Sequence, residues 1–153
     1  MSDLAIGVIG TGGMGTRHAV NLQQHVVGAR VAAVYDLDGE RATAAAKAVG
    51  GAQVFSDPRE LIADPGIDAV VIASPDPTHA EMAAACLQAS KPVLCEKPLA
   101  TTSAMAREIV EQEVAIGQRL IAVGFMRRFD PAHVAVKRVV ESGQIGRPIL
   151  FKG

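Results

Sequence analysis

Leu4-Ala5-Ile6-Gly7-Val8-Ile9-Gly10-Thr11-Gly12-Gly13-Met14-Gly15 is the stretch that decides how this chain is read. Leu4 to Ile9 is a short apolar run of the kind a buried parallel strand needs. It runs into Gly10, Gly12 and Gly15, spaced G-x-G-x-x-G, and a helical pattern follows from Met14 to about His25. In a dinucleotide-binding turn each of these glycines has a mechanical job. Gly10 permits the sharp turn out of the strand, Gly12 leaves the backbone bare for a pyrophosphate, and Gly15 lets the helix pack close to the strand. The N–H groups around Thr11, Gly13 and Met14, at the positive end of the helix, would then face the phosphates. A glycine-rich turn that binds nothing shares the bare spacing, so the continuation of the chain has to choose between the two.

The continuation favours the dinucleotide. A second apolar run, Ala29 to Tyr35, ends at Asp36, 21 positions after Gly15, where the fingerprint places a carboxylate for the ribose hydroxyls. Asp36 selects NAD over NADP, because it would repel a 2′-phosphate, and Asp38 adds a second negative charge nearby. No arginine directly follows Asp36; the nearest is Arg41. Asp36 could also merely cap a turn.

The bulk composition removes other function classes. At 153 residues, the chain is long enough for one domain with its own core. With 49% hydrophobic and 20% charged residues it reads as globular rather than disordered. A net charge of −1 with no basic stripe argues against nucleic acid as a partner. No apolar run approaches the roughly 20 residues of a membrane span. The N-terminus enters a strand directly without a secretory pattern, and two cysteines make neither a disulfide framework nor a zinc site. A cytoplasmic protein without a bound metal is therefore expected.

Strand and helix patterns alternate along the chain, which predicts an α/β fold: a Rossmann-type, doubly wound parallel sheet with helices on both faces. A helix is expected from about Asp38 to Val49, stopped by Gly50-Gly51, then a short strand at Gln53–Phe55. Asp57-Pro58-Arg59-Glu60 opens a short helix with an acid at the cap and proline in its first turn. Asp68 to Ala73 is a fourth strand. Asp76 is expected to cap the next helix, with Pro77 at its first position. Pro92 to Cys95 is the fifth strand and Leu120 to Val123 the sixth, with a helix between them capped by Thr101 or Thr102 and stopped at Gly117.

Residues 1–124 thus read as the NAD-binding domain, and residues 125–153 as a connecting loop, a helix capped by Asp130, and a first strand at Ile149–Gly153 of a further domain. One β segment with no partner after it implies a missing C-terminal α/β domain, and so an N-terminal part of something longer.

Ligands in such a sheet bind beyond the carboxyl ends of the strands. The candidates there are Gly10 to Gly15, Asp36, Ser74 to His79, Glu96 to Pro98 and Gly124 to Arg128. Lys97, between an acid and a proline at a strand end, is the candidate for chemistry: an ammonium held there could stabilise charge on an alcohol or carbonyl oxygen during hydride transfer. From spacing alone it could equally be a solvated lysine. His18, His25 and His133 fit packing, capping or solvated positions, and no two histidines show metal-ligand spacing.

Together these motifs resemble the glucose–fructose oxidoreductase / inositol dehydrogenase / MocA (Gfo/Idh/MocA) family. The resemblance rests on the glycine turn, Ser74-Pro75 with His79, Glu96-Lys97-Pro98, and Gly124-Phe125-Met126-Arg127-Arg128-Phe129, the last being most like inositol 2-dehydrogenases. It covers the whole chain but only the first part of a family member. It implies an N-terminal dinucleotide fold, a C-terminal domain on a large open sheet, and NAD(P)-dependent oxidation of CH-OH groups in a polyol or sugar substrate. It also implies that Lys97 contacts both the reacting hydroxyl and the cofactor, and that Arg127 reaches the substrate. Glu96 would shape the lysine loop, and Ser74, Pro75 and His79 would lie near the nicotinamide. The family's proton-transfer histidine and aspartate would lie beyond Gly153. The full-length form is expected to be a homo-oligomer. The alternative is a stand-alone NAD-binding or sensing module without catalysis.

Overall fold

The computed structural model describes residues 3–150. Six strands form one parallel sheet: β1 (Leu4–Ile9), β2 (Ala29–Tyr35), β3 (Gln53–Val54), β4 (Ala69–Ile72), β5 (Val93–Glu96) and β6 (Ile121–Gly124). Their spatial order is β3-β2-β1-β4-β5-β6. The chain therefore winds outward from β1 in one direction, returns, and winds outward in the other. This is the doubly wound arrangement expected from the alternating pattern.

The pattern of β1 explains why it lies at the centre. Ile6 and Val8 point into one layer, with Ala19 of α1 (Gly13–His25) and Ala42 and Ala46 of α2 (Gly39–Ala48). Ile9 points into the opposite layer, with Leu61 and Ile62 of α3 (Pro58–Ala63), Ala83 and Leu87 of α4 (Asp76–Gln88), and Ile109 of α5 (Ser103–Ile116). A strand covered on both faces needs apolar residues at successive positions, which is why Leu4–Ile9 reads as a continuous run. Val8 and Ile9 are fully buried, and such burial stabilises the fold by about 1.5–3 kcal/mol per side chain.

Helix boundaries follow local chemistry. Asp38 caps α2 by accepting from the N–H groups of Glu40 and Arg41, Asp57 caps α3 with Pro58 in the first turn, and Thr102 rather than Thr101 caps α5. Gly117 ends α5 in the left-handed conformation. One cap differs from the expectation: α4 begins at Asp76, so the extended Pro75 takes the cap position and no side chain caps that end. Asp76 instead lies in the first turn, where a negative charge faces the positive end of the helix dipole.

After β6 the chain makes a 3₁₀ turn, Met126–Arg128, and a sixth helix, α6 (Pro131–Glu141), capped by Asp130. The expected strand near the C-terminus is not formed where it is described: Ile149 and Leu150 are exposed and lie in no regular element, and no strand stands beside them among the described residues. Residues 151–153 of that expectation lie outside the described residues. No helix among the described residues is long and apolar enough to cross a membrane.

Candidate functional site

The carboxyl ends of β1, β2 and β4 open onto a cleft of about 520 Å³, lined among others by Gly10, Gly12, Gly13, Met14, Asp36, Arg41, Ser74, Pro75 and Thr78. It lies where the strand order reverses, the place where ligands bind in open α/β sheets. A neighbouring groove on the other side of Met14 is lined by Arg17, His18, Glu96, Gly124 and Met126. Met14, at the start of α1, borders both.

The glycine turn has the shape a diphosphate requires. Gly10 has φ +86°, and a Cβ there would lie 2.5 Å from Ser74 Cα. A Cβ on Gly15 would come within 1.7 Å of the Gly10 carbonyl oxygen, so only glycine lets α1 sit this close to the end of β1. Gly12 and Gly13 differ: a Cβ on either would meet nothing within 4 Å, because both face open space. No side chain caps α1 at Gly12, which leaves the first-turn N–H groups and the positive dipole end available to an anion. The residues present therefore fit a dinucleotide's diphosphate.

Asp36 stands at the tip of β2 with its side chain only 7% exposed. One carboxylate oxygen accepts from Thr11 N (2.7 Å) and the Thr11 hydroxyl (3.2 Å); the other accepts from Asp38 N (2.9 Å) and the Arg41 guanidinium (2.9 Å). Burial pushes the carboxyl pKa up, but these donors together outweigh it and hold the group below the usual carboxylate value. The sign of the pH effect follows. A carboxylate with a depressed folded-state pKa stabilises the fold above its unfolded pKa, and that contribution is lost as pH falls through the folded value. Urea unfolding from neutral pH down into the acid range is therefore expected to show a steeper loss of stability for the wild type than for Asp36→Asn. Parallel curves would count against the charged state of Asp36 as a stabilising feature.

Thr11 is itself 3% exposed; it turns its hydroxyl and N–H onto Asp36 and its carbonyl onto the Thr16 hydroxyl (2.8 Å). It thus braces the carboxylate from behind.

At β5 the side chains divide the work. Glu96 is nearly buried and its carboxylate meets His18 Nε2 of α1 at 2.8 Å. Its second oxygen accepts from Lys97 N at 3.3 Å. The first turns of α1 are thereby tied to the strand end that carries Lys97. Lys97 is exposed, and its ammonium forms no ion pair among the described residues.

His79 is fully buried. Its Nδ1 lies 2.7 Å from the Pro98 carbonyl oxygen and its Nε2 2.7 Å from the Ser74 carbonyl oxygen. The imidazole thus sits beneath the turns after β4 and β5 and joins them, rather than lining the cleft. The Ser74 hydroxyl meets the Thr78 hydroxyl at 2.6 Å. Arg127 lies in the turn after β6, where its guanidinium reaches Asp130 at 3.3 Å. Cys86 and Cys95 are free and buried; burial pushes each thiol up to about 12, so both are protonated at neutral pH. No group of three metal-ligating side chains occurs among the described residues.

Three of these contacts could not be foreseen from spacing: His18 with Glu96 across 78 positions, His79 with Pro98, and Arg41 on Asp36. Only the last had a sequence signal, an arginine in the first turn of the helix after Asp36.

Comparison with known proteins agrees with this geometry. Residues 4–125 match the model of an oxidoreductase family with an NAD-binding Rossmann fold. The chain is 57% identical over 150 residues to an inositol 2-dehydrogenase of Rubrobacter xylanophilus, which covers 98% of this chain and 43% of that protein. It is 48% identical over 151 residues to one of Mycolicibacterium smegmatis, covering 99% and 44%. Among solved structures, the myo-inositol dehydrogenase of Lactobacillus casei in complex with NAD(H) and myo-inositol superposes with a TM-score of 0.92 at 40% identity, over 96% of this chain and 44% of that one. The scyllo-inositol dehydrogenase of the same organism, with NAD(H) and scyllo-inositol, does so at 0.89 and 30%, over 95% and 43%. The chain spans less than half the length of these relatives.

Proposed function

The chain belongs to the Gfo/Idh/MocA family of oxidoreductases with an NAD-binding Rossmann fold, and on that premise we propose that it is the cofactor-binding half of an NAD-dependent inositol, polyol or sugar dehydrogenase. The observation that carries the reading is the single cleft with the bare glycine turn at one side and the carboxylate of Asp36 at the other. The N–H groups at the start of α1 would hold the diphosphate, and Asp36 would accept from the adenosine ribose hydroxyls. The nicotinamide, when bound, supplies the acceptor for the hydride leaving the substrate's CH-OH carbon.

Lys97 acts on the substrate oxygen. As an ammonium it donates a hydrogen bond to that oxygen and stabilises the negative charge that grows on it as the hydroxyl proton is removed. An ammonium cannot also remove the hydroxyl proton, so a base from the remaining part of the longer protein takes it. Glu96, held by His18, fixes the direction of the strand end, and Ser74 and Pro75 border the nicotinamide side. Arg127 reaches the polyol once it leaves Asp130. Residues 1–124 form the cofactor domain, and residues 125–153 lead into the second domain. The two thiols, free and buried, suit a reducing cytoplasm.

The test is a fluorescence titration of this chain with NADH and with NADPH. NADH is expected to bind about tenfold tighter or more, since the 2′-phosphate would meet a buried carboxylate. Tighter NADPH binding overturns the assignment of Asp36, and no response to either overturns the dinucleotide site. The substrate class is read by incubating the longer protein with a panel of inositols and sugars and following NADH absorbance.

A further inference from the structure

His79 makes two contacts that a neutral imidazole cannot both satisfy. Its Nδ1 lies 2.7 Å from the Pro98 carbonyl oxygen and its Nε2 2.7 Å from the Ser74 carbonyl oxygen. A carbonyl oxygen only accepts, and a neutral ring has one N–H and one lone pair. In either neutral tautomer, one nitrogen therefore sets its lone pair against an oxygen lone pair at hydrogen-bond distance. The residue is 1% exposed, so bulk water cannot relieve that contact. A doubly protonated ring turns both contacts into charge-assisted hydrogen bonds.

We propose that His79 is a buried imidazolium, a fixed positive charge beneath the nicotinamide end of the cleft that biases the site toward NADH over NAD⁺. The inference rests on the dinucleotide reading of that cleft. No carboxylate pairs with the ring among the described residues: the histidine ion pairs there are His18 with Glu96 and His133 with Asp130. Of the ionisable groups that flank it, Asp76 on its own helix and Lys97 beside Pro98 are exposed, and Glu96 is turned to His18. Cys86 and Cys95, in the core layer that α4 covers, are protonated thiols without charge. Two carbonyl dipoles are thus what compensates the ring, and no counter-ion cancels its field. That field reaches the cleft because Ser74, whose carbonyl the ring holds, and Pro75 both line it. Oxidised nicotinamide carries a positive charge and reduced nicotinamide does not. A cation below it therefore weakens NAD⁺ binding relative to NADH, and by the same amount favours hydride uptake by the bound cofactor.

Two measurements on this chain test the proposal. Nitrogen NMR of the imidazole rings at neutral pH, assigned through the His79 backbone amide, is expected to show both His79 ring nitrogens protonated. A ring with one protonated nitrogen overturns the proposal. NADH is then titrated by fluorescence, and NAD⁺ by displacement of NADH, in wild type and in His79→Gln, which removes the charge and keeps a donor for one carbonyl. The ratio of NAD⁺ to NADH dissociation constants is expected to fall about three- to tenfold in the variant, the scale of one charge felt across a few peptide groups. Equal weakening of both cofactors would make the ring a structural tie only, and overturns the bias while the NAD site stands. Should His79→Gln fail to fold, the ring spectrum of the wild type decides alone. A wild type that binds neither cofactor overturns the dinucleotide reading, and the bias with it.

Discussion

Gly15→Ala is expected to cost the chain about 3 kcal/mol or more of stability, toward the upper end of what overpacking does, and to lower its melting temperature by roughly 10 °C. The added Cβ would stand 1.7 Å from the carbonyl oxygen of Gly10, a backbone atom that has no rotamer to change. Either α1 lifts away from the end of β1 or the turn at Gly10 opens. Both movements shift the first-turn N–H groups, so NADH binding should be lost together with stability. Gly12→Ala is the control. Its Cβ meets nothing within 4 Å and fills space on the cleft side, so it should weaken NADH binding with little change in unfolding. The pair is read by urea unfolding and NADH titration. If Gly15→Ala melts like wild type, the close packing of helix and strand is not what the glycine is for.

Lys97→Ala, made in the longer protein, is expected to lower kcat by about 10²- to 10³-fold, the range for removing a positioned hydrogen-bond donor from a developing charge. NADH affinity should change little, because the diphosphate and ribose contacts lie on other elements. The structure makes the separation plausible: Lys97 is exposed, makes no ion pair among the described residues, and follows Glu96, whose carboxylate is held by His18. Removing the ammonium therefore leaves the strand end in place. Steady-state kinetics with a polyol, beside a direct NADH titration, distinguish the two effects. Unchanged turnover would remove Lys97 from the chemistry, and a matching loss of NADH affinity would make it a cofactor ligand instead.

What could be read in advance was what depends on neighbours in sequence. The first strand, its glycines and Asp36 lie within 36 residues, and turn chemistry and periodicity place all of them. Helix ends were legible where a side chain caps them, as at Asp38, Asp57 and Asp130. At Asp76 the same reasoning missed by one residue, because Pro75 is itself the last extended residue and leaves the acid inside the helix. The end of the described residues is a different case. Ile149 and Leu150 have the composition of a strand, but a strand needs a neighbour to pair with, and composition carries no information about that.

The contacts that tie the site together were illegible because sheet order creates them. His18 reaches Glu96 only because α1 and the tip of β5 share the same rim, although 78 positions separate them. The resemblance puts His79 near the nicotinamide; its place under two turns emerges only when β4 and β5 stand side by side. Arg41 is the nearest arginine to Asp36 in sequence, but it is the first turn of α2 that brings it onto the carboxylate.

One consequence of the buried imidazole concerns the exchange of parts between related enzymes. Because His79 meets both the carbonyl of Ser74 and that of Pro98, the turns after β4 and β5 are tied to each other through one buried ring. A chimera that imports one of these two loops from a relative, while retaining the other, would inherit a mismatched hinge; transplanting the whole span from residue 74 to residue 98 keeps it intact.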